Sequence, residues 1–89
     1  MNTNNKKVRY YYQIDFIDEQ GNASYIDTFT PRQRRKAIEH LNILNSANQC
    51  LTNDTYFVLD KYACYDEDGD DIEIVEENIT DINGDKYYD

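Results

Sequence analysis

Apolar and polar side chains alternate strictly over residues 8–17. Val8, Tyr10, Tyr12, Ile14 and Phe16 fall on one side, and Arg9, Tyr11, Gln13, Asp15 and Ile17 on the other. A period of two in β-favouring residue types predicts a strand. Asp18-Glu19-Gln20-Gly21-Asn22 reads as a turn, with Gly21 available for positive φ. Ala23 to Phe29 reads as a second strand, which closes an antiparallel hairpin. The pattern then changes. Thr30 stands where an N-cap would, Pro31 at the first helical position and Gln33 where it completes a capping box. The spacing predicts a helix over 31–46, with Ala37, Ile38, Leu41, Leu44 and Asn45 on one stripe and Arg32, Arg35, Lys36 and Glu39 off it.

Alternation returns over 55–65, where Tyr56, Val58, Asp60, Tyr62 and Cys64 oppose Phe57, Leu59, Lys61, Ala63 and Tyr65. Asp66-Glu67-Asp68-Gly69-Asp70 predicts a hairpin turn, because Asp-Gly readily adopts the backbone that such turns need. Residues 71–77, with Ile72, Ile74 and Val75, predict a fourth strand. The expected fold is therefore a single α+β domain of order ββαββ, an antiparallel sheet with one helix packed on one face. Its expected span is 8–78. Residues 1–7 are expected to form a disordered tail, and 79–89 an acidic tail or a short edge strand after Asn83-Gly84.

Charge sharpens this picture. The 89 residues carry a formal net charge of −9, and the two halves differ. Residues 1–45 hold seven Lys/Arg against five acids. Residues 46–89 hold two against thirteen, a local net of −11. Such a field repels nucleic acid and attracts basic surfaces. Direct nucleic-acid binding is therefore not expected, although Arg32, Arg34, Arg35 and Lys36 cluster at the helix start. Those cations oppose the helix dipole, and they either contact an acidic or nucleic-acid partner or are balanced by the chain's own acids and by solvent. No apolar run of about 18 residues is present, and Met1 to Lys7 lead into no apolar stretch. The expectation is a cytoplasmic protein without membrane contact, with Cys50 and Cys64 reduced and packed as small hydrophobes.

Asp66, Glu67, Asp68, Asp70, Asp71, Glu73, Glu76 and Glu77 lie within twelve residues. Same-side residues on a strand repeat about every 6.6 Å, so Asp71, Glu73 and Glu77 are expected to form a row of negative charge. Duplex DNA carries one charge per ~1.7 Å of axis, a density that staggered carboxylate rows approach. Two readings stand side by side: a polyanion mimic that fills a basic groove, and a solvated hairpin whose charges keep an edge strand from aggregating. A calcium loop fits worse. Asp66, Asp68, Asp70 and Glu77 match its spacing, but Asp71 stands where the turn needs glycine.

Nine tyrosines offer contact area at low rotamer cost. Because Tyr10, Tyr11 and Tyr12 are consecutive on a strand, Tyr11 must face away from the other two. Tyr11, Tyr62 and Tyr65 are the expected members of a docking face; tyrosine simply replacing phenylalanine in core and sheet is the plainer account. Catalysis finds no arrangement to support it. His40 is the single histidine, the cysteines lack metal-ligand spacing, and three glycines form no phosphate loop. No cofactor is expected.

A short, acidic, Tyr- and Asn-rich ββαββ chain with the stretch Asp66–Glu77 resembles phage-encoded inhibitors of host defence, including anti-CRISPR proteins and DNA-mimicking nuclease inhibitors. The resemblance is one of general layout. It implies a non-catalytic inhibitor in the cytoplasm of a bacterial host. Such an inhibitor would plug the nucleic-acid channel of a CRISPR effector, nuclease or other basic nucleic-acid-binding protein. The alternative expectation is a structural or regulatory module that forms a homodimer through a strand edge or the Tyr-rich face.

Overall fold

The computed structural model describes residues 8–65 and 72–80. Its elements run β1 (Arg9–Ile17), β2 (Ala23–Phe29), a 3-10 turn (Pro31–Gln33), α1 (Arg34–Gln49), β3 (Tyr56–Cys64) and β4 (Ile72–Glu76). The four strands form one antiparallel sheet in the order β2-β1-β3-β4, the expected ββαββ architecture.

The first hairpin closes because Asp18 organises its own turn. Its carboxylate accepts the backbone N–H groups of Gln20 and Asn22, at 2.9 and 2.8 Å. Gly21 supplies φ +86°, a backbone that residues with a Cβ rarely adopt. The second connection behaves differently from the sequence expectation. The Gln33 N–H donates to the Thr30 carbonyl at 2.9 Å, an i→i+3 bond that makes the first turn 3-10. The Gln33 carboxamide accepts the Thr30 N–H in turn. The α-helix proper therefore starts at Arg34 and runs to Gln49.

One stripe of that helix meets one face of the sheet. Tyr12, Ile14, Phe29 and Leu59 pack against Ala37, Ile38 and Leu41 in a single buried cluster. Ile79 joins it at 3% exposure, so the core reaches one residue past the expected domain boundary. Burial of each large apolar side chain contributes roughly 1.5–3 kcal/mol.

β3 is longer than β4, and the remainder of its outer edge is satisfied by other groups. The Ile79 N–H donates to the Leu59 carbonyl at 2.8 Å. Asn45 receives the Phe57 N–H and donates to the Phe57 carbonyl, at 2.8 and 3.0 Å. Asn48 donates to the Thr55 carbonyl at 2.8 Å. Asn45 lies on the apolar stripe for this reason: it serves as a surrogate strand for backbone that β4 leaves uncovered.

Two cations are buried. Arg34, from the basic helix start, is balanced by one of the chain's own acids, as one of the two sequence readings has it, and is 5% exposed. Its guanidinium lies over the Tyr12 ring and makes two bonds to Glu76, at 3.1 and 3.2 Å. Lys61 is also buried, with its ammonium over the rings of Tyr10 and Tyr12. Neither cysteine is in a disulfide, but Cys50 is exposed; only Cys64 is packed as expected. Cys50 follows the last helical residue, where the stripe has already turned away from the sheet.

Candidate functional site: the open face of the sheet

The helix covers one face of the sheet, and among the described residues no helix or strand packs on the other, the open face. β1 and β3 set the rungs of that open face: Arg9 beside Cys64, Tyr11 beside Tyr62, Gln13 beside Asp60, Asp15 beside Val58, and Ile17 beside Tyr56. β4 extends the face with Ile74 next to Tyr62 and Ile72 next to Cys64. β2 extends it on the other side with Tyr25 next to Asp15.

The centre of the face is aromatic and acidic together. Tyr11 and Tyr62 stack with ring centroids 5.4 Å apart and planes 20° apart. Such pairs contribute about 0.5–1.5 kcal/mol beyond their buried area, and this one fixes two ring edges in place without help from the core. Asp60 lies one rung along and accepts the Asn78 N–H at 3.0 Å. Asn78 has φ +51°, which asparagine tolerates better than most residues. Asp15, 8% exposed between Val58 and Tyr25, accepts a bond from the Gln13 carboxamide at 2.8 Å.

The electrostatics of these groups are coupled. Partial burial raises the pKa of Asp60, and the neighbouring charges of Asp15 and Glu77 push it further up against the Asn78 bond. Burial raises the Tyr62 phenol, with Asp60, Asp15 and Glu77 adding to the effect. Burial raises Tyr11 as well, followed by Cys64 and Asp15. Asp15, Asp60 and Glu77 thus act together on the tyrosine pair from one side. On β1 and β3 the cation of this face is Arg9, one rung from the pair on its other side, where its guanidinium approaches the Cys64 sulfur at 3.9 Å.

The acidic segment singled out in the sequence divides. Asp66, Glu67, Asp68, Asp70 and Asp71 lie outside the described residues. Glu73 and Glu77 are exposed. Glu76 is paired with Arg34, so its charge is balanced within the fold. The expected row of Asp71, Glu73 and Glu77 on one side does not hold. Between Lys61 and Tyr62 on β3, the partner on β4 moves from Glu76 to Ile74, which leaves Val75 as an extra residue. A bulge of this kind inverts the alternation beyond it. Glu73 and Glu76 therefore lie on the helix side, opposite Ala63 and Lys61, while Glu77 comes to the open side near Asp60.

Of the tyrosines expected at a docking face, Tyr11 and Tyr62 are brought together. Tyr65 follows β3 and is half-buried. Tyr25 and Tyr56 are exposed on the same face, at 61% and 50%. Asp15 and Asp60 were not singled out in the sequence. The signal was available, because both are acids in phase with Tyr11 and Tyr62 in the alternation of their strands. His40 packs its ring against Phe29. Among the described residues no group of three or more His, Cys, Asp or Glu side chains could hold a metal ion. No helix of the described residues is long and apolar enough to cross a membrane.

These features define a small single-sheet α+β domain with a helix on one face of its four-stranded antiparallel sheet. No family model matches the chain, and neither does any curated protein or solved structure.

Proposed function

We propose that this protein is a non-catalytic binding module that inhibits a basic nucleic-acid-handling protein, of which a CRISPR effector is one instance, by presenting a negatively charged surface. The observation that carries the reading is the partition of charge across the sheet. Arg34 and Lys61 are drawn to the helix side, and Arg34 spends its charge on Glu76. Asp15, Asp60 and Glu77 stand on the open side, and the last two belong to residues 46–89, whose formal net is −11. Negative charge of this kind steers a basic partner into contact and sets its orientation.

The test reverses charge without touching the internal ion pair. A variant carrying Asp66→Lys, Asp68→Lys, Asp70→Lys and Glu77→Lys leaves Glu76 in place for Arg34. It should keep the circular dichroism spectrum and unfolding midpoint of the parent. Its inhibition of a susceptible nuclease should fall by on the order of a hundredfold or more, since each lost charged contact is worth ~1.5–3 kcal/mol. Undiminished inhibition by a folded quadruple variant would remove the acidic segment from the mechanism.

A further inference from the structure

The open face has the makings of a specific seat as well as a diffuse field. Resting on the reading above, we propose that the Tyr11–Tyr62 platform, bordered by Asp60, Asp15 and Glu77, is the docking surface for an arginine- or lysine-bearing segment of the partner protein. Three independent features select that occupant. The stacked rings, half-buried and with centroids 5.4 Å apart, form an aromatic surface against which the plane of a guanidinium packs through dispersion. Ile74, 45% exposed beside Tyr62, extends the shelf with apolar area suited to the methylene stem of a long basic side chain.

Charge decides the sign of the partner. Three carboxylates, the buried Asp15 among them, act on the platform from one side, and a single cation, Arg9, stands one rung away on the other, with its guanidinium at the Cys64 sulfur. Carboxylates outnumber that cation, so the balance of charge disfavours an anionic ligand, a nucleic acid included. A second copy of this chain would bring the same three carboxylates against themselves. Burial first, and Asp15 and Glu77 after it, raise Asp60; a cationic segment beside it offsets the like-charge part, so binding and deprotonation of that carboxyl reinforce one another.

The full-length chain can be titrated with a short arginine-glycine peptide, and with a glutamate-glycine peptide of equal length as control, while backbone amide shifts are followed by NMR. The arginine peptide should perturb amides of β1 and β3 around Tyr11, Gln13, Asp60 and Tyr62, and Ile74 on β4. Asp60→Asn keeps the acceptor for Asn78, and its amide spectrum reports that the fold is intact. It should weaken the peptide on the order of tenfold, and the weakening should shrink as the pH is lowered and the wild-type carboxyl protonates. Shifts confined to residues 66–77, with Asp60→Asn unchanged, would overturn this surface and leave the acidic-module reading standing. Perturbation of the face by a single-stranded oligonucleotide, or by raising the protein concentration alone, would overturn it in favour of nucleic acid or of a second copy. Absence of any arginine-dependent shift at low salt would overturn both.

Discussion

Asp60 carries a carboxylate that the fold holds at a disadvantage. Its pKa is raised by partial burial and by Asp15 and Glu77. A carboxyl whose folded value lies above its unfolded one favours the native state while protonated, and that contribution is lost as pH rises through the folded value. Asp60→Asn, which retains an oxygen for the Asn78 N–H, should therefore unfold in urea at a higher midpoint than the parent at neutral pH. The advantage should vanish below the carboxylate range; a less stable variant at neutral pH would contradict the assignment. Glu76 is the opposite case. Arg34 is nearly fully buried and relies on it for two bonds, so Glu76→Gln leaves a cation short of its counter-charge. Because Glu76 itself is partly solvated, the loss should be about 1–3 kcal/mol rather than the full cost of breaking a wholly buried pair. A double-mutant cycle with Arg34→Met measures the coupling directly.

At the scale of elements, residue pattern locates all four strands and the helix to within a few residues: β1, β3 and α1 each turn one face to a common core, β2 enters it at Phe29, and β4, with no buried residue, is marked by its Ile and Val residues. What it does not reveal is set by tertiary contact. The helix continues past residue 46 to Gln49 through a polar stretch of low helix preference, because Asn45 and Asn48 bond to the backbone of β3. The bulge at Val75 depends on how β4 must bring Glu76 to Arg34, a partner 42 positions away. Propensity carries neither signal. Replacing Asn45 by alanine strips the Phe57 N–H and carbonyl of their partners, with an expected loss of about 1–3 kcal/mol. Asn42→Ala, on the exposed side of the same helix, should change stability by less than about 0.5 kcal/mol. Equal losses at the two positions would show that Asn45 does not close the β3 edge.

The candidate site was legible in part for the same reason. Alternation assigns Tyr11 and Tyr62 to one face, and their strands turn out to be neighbours in register. That Asp15 and Asp60 join them depends on the pairing of β1 with β3, a contact between strands separated by the helix and invisible in either strand alone. The acidic run from Asp66 is conspicuous in the sequence, yet Glu76 belongs to an internal pair and Glu73 to the helix side.

At the scale of the whole molecule, the governing quantity is a net charge of −9 laid unevenly on a thin, single-sheet body. The core of the described residues is built from one helix stripe and one sheet face, and no described helix or strand packs on the second sheet face. The surplus charge works through long-range attraction, so affinity for a basic partner should fall steeply with salt. The most direct measurement is a competition. Immobilised protein is exposed to a bacterial lysate at low salt, and the retained proteins are then eluted in parallel by duplex DNA and by raised salt. The account predicts that the retained proteins are basic nucleic-acid-binding proteins and that DNA and salt release the same set. Partners that stay bound in the presence of excess duplex, or that are held equally well at high salt, would contradict it.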